Sequence, residues 1–308
     1  MTALRRSRRP VHGLLVADKP FGPSSTQVLG RIKFLFGAEK AGHAGTLDPM
    51  ASGLLPVLFG EATKFAQEGL EADKAYLAEV CLGITTETGD REGVVLKEQA
   101  VTVTQAELEA VLQGLLGEQE QVPPMYSALK HNGRPLYEMA RSGQTVEREA
   151  RTIALHELSL LSYAPPLLQL QVRCSKGTYI RSLAEEIGQR LGCGAHLSSL
   201  RRNGVGPLDL SHSVDLDALE RAAEAGTDAL DAFLLPVDHL LLSWPSISLT
   251  DREAALFSHG QILTSSSFPM GAPQRARVLT QSKRFLGTAL LGQGRLKPVR
   301  LVAQPTHH

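Results

Sequence analysis

The sequence predicts an α+β fold in two parts, a large sheet domain followed by a small β-rich unit. Three observations carry that expectation. Strand-like and helix-like segments follow one another irregularly instead of in strict alternation. The length of 308 residues exceeds one average domain. Around Trp244-Pro245, near 241–246, a crowded acidic stretch gives way to a basic one. The expected division is a basic N-terminal arm over residues 1–10, a main domain over 11–243 with an exposed excursion at about 123–150, and a final unit over 244–308.

The first expected element is an apolar strand at 11–17. Asp18-Lys19-Pro20 turns it towards a helix that starts at Ser24 or Ser25 and runs to Phe36, with a serine N-cap and Gly37 as the C-terminal glycine. A glycine-rich loop at 41–53 leads to an apolar strand at 54–59 and a short helix from Glu61 to about Gly69. Tyr76, Ala78, Val80 and Leu82 recur at period two and predict a strand, with 94–96 returning beside it after the turn-rich residues 85–93. Thr104 and Glu107 form a capping box ahead of Leu108, Val111, Leu112 and Leu115. Pro123-Pro124 opens the excursion, whose residues 125–141 carry Lys130, His131, Arg134 and Arg141 with a turn at Asn132-Gly133. Residues 152–163 and 167–174 read as paired strands around Pro165-Pro166, and 180–191 as a helix closed by Gly192.

Charge is segregated although the net charge is zero. Residues 254–308 hold Arg275, Arg277, Lys283, Arg284, Arg295, Lys297 and Arg300 and no acid, a polyanion-binding pattern. Asp215, Asp217, Glu220, Glu224, Asp228 and Asp231 crowd one expected helix, which should face away from phosphates. No apolar run reaches the roughly 18 residues of a membrane span, and residues 1–10 carry four arginines without a secretory pattern. A cytoplasmic location and no membrane partner are expected. Cys81, Cys174 and Cys193 are odd in number and fit inert thiols in a reducing compartment. With no Walker loop, no GxGxxG ahead of a helix, no HExxH and no cysteine-pair site, no metal or nucleotide cofactor is expected.

The segment that asks for chemistry is Gly42-His43-Ala44-Gly45-Thr46-Leu47-Asp48-Pro49-Met50-Ala51-Ser52-Gly53. Its glycines allow close approach of backbone to a ligand, and Asp48 is its only acid. On spacing alone, Asp48 is either a turn-capping residue or a reactive carboxylate.

With the following Leu54-Leu55-Pro56, this segment resembles the active-site motif of the B-family tRNA pseudouridine synthases. Agreement extends in order and spacing to Asp18-Lys19-Pro20 with Ser24-Ser25, Gly60-Glu61-Ala62-Thr63-Lys64, and Asp73-Lys74-Ala75-Tyr76. It continues through Pro124-Met125-Tyr126-Ser127-Ala128-Leu129-Lys130, Cys174-Ser175-Lys176-Gly177-Thr178-Tyr179-Ile180-Arg181, and Gly192-Cys193-Gly194-Ala195-His196-Leu197 before Leu200-Arg201-Arg202. The resemblance covers about residues 11–205 and weakens beyond Leu210.

The resemblance implies a catalytic domain on a mixed, largely antiparallel sheet with the active cleft across it, and a C-terminal PUA-like RNA-binding module. It implies cofactor-free isomerisation of a flipped-out uridine at position 55, in the tRNA T loop. Asp48 would be the nucleophile and Arg181 its paired cation, whose planar fork can fix a carboxylate's orientation. Tyr76 would lie on the uracil face, Tyr179 would line the pocket, and Leu200 would supply apolar packing or a backbone contact. His43 would fill the space left by the flipped nucleotide, while Lys64 and Lys130 would meet RNA. Lys19 would be scaffold and Asp90 a partner for the Arg181 network. The excursion would clamp the T stem-loop. No obligate protein partner is implied, and a monomer suffices. A second role from the same groove is an RNA chaperone that unfolds and refolds tRNA.

Overall fold

The computed structural model describes residues 8–127, 129–131 and 133–303, with Lys130 and His131 described by their backbone alone. Most of the expected basic arm, residues 1–7, lies outside the described residues. Arg9 is tied down, its guanidinium bidentate on Asp231 at 2.5 and 2.7 Å.

Strand β1 (Gly13–Lys19) leads to helix α1 (Ser25–Phe36). Ser24 caps that helix in a full capping box, and Gly37 ends it at φ 59°, a left-handed conformation suited to glycine. Strand β2 (Ala41–His43) precedes the loop that carries Asp48, and β3 (Ala51–Phe59) leaves it. A 3-10 turn, Gly60–Phe65, and helix α2 (Ala66–Glu71) follow. Strand β4 (Lys74–Leu82) is succeeded by the small hairpin of β5 (Ile84–Thr86) and β6 (Val95–Glu98). Helix α3 (Gln105–Gln113) opens on the Thr104–Glu107 capping box and leads to β7 (Gly117–Gln121). The excursion contains the short pair β8 (Lys130–His131) and β9 (Arg134–Pro135) and helix α4 (Leu136–Arg141). Strands β10 (Arg151–Ala164) and β11 (Leu167–Cys174), helix α5 (Ile180–Arg190) and strand β12 (Ala195–Val205) complete the main frame. Strands β13 (Leu208–Asp209) and β14 (Ser213–Val214) then lead to helices α6 (Leu216–Ala225) and α7 (Thr227–Asp231). The acidic stretch is therefore two helices and not one, because Gly226 sits at φ 124° between them.

Among the described residues, ten strands form one mixed, largely antiparallel sheet in the order β14-β1-β3-β12-β4-β11-β10-β7, with β2 on β3 and β13 on β12. Only β1 with β14 and β12 with β3 run parallel in it. Residues 14–17 of β1 and 54–59 of β3 are an unbroken apolar run because both faces of the sheet are covered there. Leu15, Ala17, Leu55 and Val57 meet α1 and α6 on one side, while Leu14, Val16, Leu54 and Leu58 pack towards Phe65 and Leu240 on the other. Helices α3 and α5 cover β4, β10 and β11 with Leu108, Leu112, Ile180, Leu183 and Ile187.

Strand β12, at the centre of this sheet, is absent from the expected elements. Its arginines and two register irregularities, at Leu197/Ser199 and Arg202/Gly204, hide the alternation that marks a strand. It joins two halves of the sheet, pairing with β3 through Leu200, Arg201 and Arg202 and with β4 along its whole length.

A second, five-stranded sheet holds β15 (Ser246–Leu249), β16 (Leu263–Thr264), β17 (Gln274–Thr280), β18 (Phe285–Gly292) and β19 (Arg295–Leu301), with helix α8 (Asp251–Ser258) against it. Its own core includes Leu249, Phe257, Val278, Leu286 and Leu296. The junction with the main sheet is partly apolar, with the Phe65 and Phe285 rings 5.5 Å apart. It is also ionic. Arg275 binds Glu68 at 2.6 Å and Arg277 binds Asp238 at 3.0 Å, so two of the seven basic residues expected to face a polyanion face the first unit. No helix among the described residues is long and apolar enough to cross a membrane.

Candidate active site

The loop between β2 and β3 is held from below by three polar side chains, each from a different element. Ser25, the first residue of α1, accepts from the Leu47 amide at 2.8 Å through its hydroxyl, which donates in turn to the Leu47 carbonyl at 3.0 Å. Lys19, the last residue of β1, is fully buried. Its ammonium donates to the carbonyls of Ala51 at 2.6 Å, Pro20 at 2.9 Å and Pro49 at 3.4 Å. Burial pushes its pKa down to about 8, with Asp48 opposing the shift and Arg202 adding to it.

Arg202 is the third. Register places it opposite Gly53 of β3 and Tyr76 of β4. Its guanidinium donates to the carbonyls of Leu54 at 2.8 Å, Gly45 at 3.1 Å and Thr46 at 3.3 Å, and its charge faces the Tyr76 hydroxyl. Gly53 must be glycine for this approach: at φ 97°, a Cβ there would fall 2.2 Å from the Arg202 carbonyl oxygen. Sequence reasoning placed Arg202 in a motif and gave it no role. Its signal, an arginine among the polar residues of β12, becomes readable only when the strand is known to be central and buried.

Asp48 emerges from this clamped loop with 43% of its side chain exposed. Arg181, at the start of α5, stands opposite, its Nη2 3.0 Å from Asp48 Oδ2 and its own side chain only 5% exposed. The fork is not devoted to Asp48. Its donors also reach the Thr88 carbonyl at 3.0 Å and the Tyr126 carbonyl at 2.6 Å, and Nε lies 3.6 Å from Asp90 Oδ2. Arg181 therefore ties together the turn after β5, the excursion and the carboxylate. Asp90 is fixed in turn by Thr88, whose hydroxyl donates to it at 2.6 Å.

Tyr76, Leu200, Leu47 and Met50 belong to one buried apolar cluster beside the loop. Burial raises the Tyr76 hydroxyl to about 12, so it stays protonated at neutral pH. Tyr179 caps α5, its backbone held on both sides by the Gln121 amide at 2.8 and 3.1 Å. Burial raises its hydroxyl too, with the neighbouring Ser127 opposing. His43 lies half-buried on β2 opposite Val57. Desolvation, and then the Arg202 charge, lower its pKa, so it is neutral at pH 7. Lys64 sits at the junction, donating to Glu61 at 2.7 Å and to the Leu301 carbonyl at 2.9 Å. The Lys130 side chain lies outside the described residues. The three cysteines are buried and free. No cluster of three or more His, Cys, Asp or Glu side chains among the described residues could hold a metal ion.

This arrangement offers an exposed, ionisable carboxylate on a fixed loop, a guanidinium against it, and apolar and aromatic surface beside it. Comparisons with known proteins agree on what carries it. The model of the TruB family pseudouridylate synthase N-terminal domain matches residues 33–180. Those of the tRNA pseudouridylate synthase B C-terminal domain and of the pseudouridine synthase II TruB C-terminal region match 181–242 and 245–302. The tRNA pseudouridine synthase B of Pseudomonas aeruginosa (strain UCBPP-PA14) is 50% identical over 98% of this chain and 99% of its own. That of Burkholderia mallei (strain ATCC 23344) is 54% identical over 97% and 96%. Among solved structures, a chain of a Cbf5-Nop10-Gar1 complex superposes with a TM-score of 0.73 at 26% identity, covering 95% of this chain and 84% of that one. With domain matches along its length and relatives at half identity or better, the chain belongs to the TruB family of pseudouridine synthases.

Proposed function

We propose that this chain converts uridine to pseudouridine at position 55, in the T loop of tRNA, with Asp48 as nucleophile. The observation that carries the reading is the Asp48–Arg181 pair, 3.0 Å apart on a loop clamped from below and open above. The C1′–N1 bond breaks, the base turns, and a C1′–C5 bond forms. The proton lost from C5 balances one gained at N1, so the reaction needs no redox partner or co-substrate. As a carboxylate, Asp48 can attack C1′ or C6, or remove the 2′ proton. Arg181 orients it through a charge-assisted hydrogen bond.

The uridine must leave its stack, at a cost of a few kcal/mol that contacts in the pocket offset. Tyr76 offers its ring to the base, Tyr179 and Leu200 close the pocket, and His43 enters the RNA as a neutral stacking group. Lys64 keeps one of its three donors for a phosphate, and Lys130 supplies another charge. The domain division that fits this reading is a catalytic unit over 11–243, with an RNA clamp at 123–150, and an RNA-binding unit over 244–308. Separate sheets and cores in the two parts support it. The enzyme acts as a monomer, without an obligate protein partner, in the cytoplasm where tRNA is found.

The test is pseudouridine formation in an unmodified tRNA transcript, without added metal, comparing wild type with Asp48→Asn at matched RNA occupancy. Wild-type conversion at the T-loop uridine, with loss of about three orders of magnitude or more in the variant, is expected. Binding by both proteins with conversion by neither would replace the enzyme with an RNA chaperone.

A further inference from the structure

Phe21 and Arg91 take no part in the core or in the catalytic pair. Phe21 is 51% exposed, directly after Lys19-Pro20. Arg91 is exposed too, and its guanidinium carbon lies 4.5 Å from the Phe21 ring centroid. A lone exposed phenylalanine needs no explanation. This one is built into the rim of the site at both ends. The Gly22 amide donates to the Pro49 carbonyl at 2.9 Å, so the turn carrying Phe21 rests on the residue after Asp48. The Arg91 amide donates to the Leu197 carbonyl at 3.0 Å, and the residue before it, Asp90, contacts Arg181. The stack thus bridges the turn beside Asp48 and the turn beside Arg181.

The chemistry of the pair is equally specific. An aromatic face with a guanidinium over it offers two flat surfaces for stacking and a positive charge for phosphates. Single-stranded RNA loops present unstacked bases that are held in this way. We propose that the Phe21–Arg91 stack is a shelf for an unpaired nucleobase of the substrate RNA, next to the uridine that enters the site. The inference rests on the RNA-modifying reading and adds a contact outside the pocket. Neither residue touches reacting atoms; the shelf binds and positions.

The test uses a T stem-loop RNA carrying 2-aminopurine at each loop position flanking the target uridine in turn, with the full-length protein. Stacking should quench the probe at one position in wild type and in Phe21→Trp, and not in Phe21→Leu. Phe21→Leu should weaken binding and raise KM by about fivefold to tenfold, the low end of the range for base stacking, with kcat at saturation unchanged. An abasic nucleotide at the quenched position should remove the difference between wild type and Phe21→Leu. Unchanged affinity in Phe21→Leu, a defect that persists undiminished against the abasic RNA, or a fall in kcat and Tm with KM unchanged would each overturn the shelf. Quenching and affinity are read without turnover. A wild type that binds and quenches without making pseudouridine would therefore sink the functional reading and leave the shelf standing.

Discussion

The two walls of the Asp48 loop are built on opposite principles. Beneath it, Ser25, Lys19 and Arg202 are buried and donate to backbone carbonyls of the loop itself. Above it, Arg181 joins a carboxylate that is nearly half exposed to carbonyls from two other segments, one of them the excursion. The lower wall gives the loop one conformation by satisfying its carbonyls where water cannot reach them. The upper wall leaves the Asp48 carboxylate open to solvent. On the proposed function, a site that must hold its nucleophile still and yet admit an RNA loop divides those tasks between its two sides. Changes below should therefore cost stability first and rate as a consequence, whereas changes above should cost rate alone.

Arg202→Met should break the comparison most severely. It leaves the carbonyls of Leu54, Gly45 and Thr46 without their donor in a dry interior. The expected loss is about 3 kcal/mol of folding stability or more, read by denaturant unfolding. Unchanged stability would show that the loop is held without it.

Lys19 offers a sharper and smaller effect, because its contribution depends on pH. Its folded pKa of about 8 lies below the ordinary lysine value, so the unfolded chain binds the proton more tightly. Below pH 8 both states carry it, and folding bears the full cost of burying the charge. As pH rises from about 8 to 10.5 the folded state releases its proton first, and stability increases. The stability advantage of wild type over Lys19→Met should be flat below pH 8 and should grow across that window. Lys74, also near 8, is common to both proteins and cancels in the difference. An advantage independent of pH from 7 to 10 would mean that Lys19 keeps an ordinary pKa.

How much of this was legible in the sequence follows from the kind of force involved. Local forces could be read: the capping boxes at Ser24 and Thr104, the left-handed Gly37, and the apolar strands β1 and β3 follow from neighbours in the chain. Acidic residues 215–231 were misread as one helix because charge density was weighed above Gly226. Strand β12 was missed because a central strand normally excludes arginine, and Arg202 is admitted only by carbonyls that lie some 150 positions away in sequence. Counting basic residues after Ala254 overstated the free charge, since Arg275 and Arg277 meet acids whose positions only the fold supplies. The glycine-rich loop was recognised as a site through its resemblance to a family; the means of fixing it, three donors from three elements, is tertiary and was not visible.

Arg181→Lys is the smallest expected change in stability and the one that tests the division most directly. A lysine keeps the charge facing Asp48 and can still donate to a neighbouring carbonyl, so although Arg181 is buried the loss should stay near about 1 kcal/mol. It cannot keep the geometry. One ammonium on a flexible stem cannot reach Asp48, the Thr88 carbonyl and the Tyr126 carbonyl in the fixed plane of a guanidinium. The expected result is a Tm close to wild type, RNA affinity within a few-fold, and kcat lower by about two orders of magnitude, since a small misplacement of the reacting group is costly. Single-turnover rates at saturating RNA, measured beside unfolding curves, separate the two quantities. Were stability to fall as far as in Arg202→Met, the upper wall would be as much a part of the scaffold as the lower, and the exposure of Asp48 would reflect a gap in packing instead of an entrance for RNA.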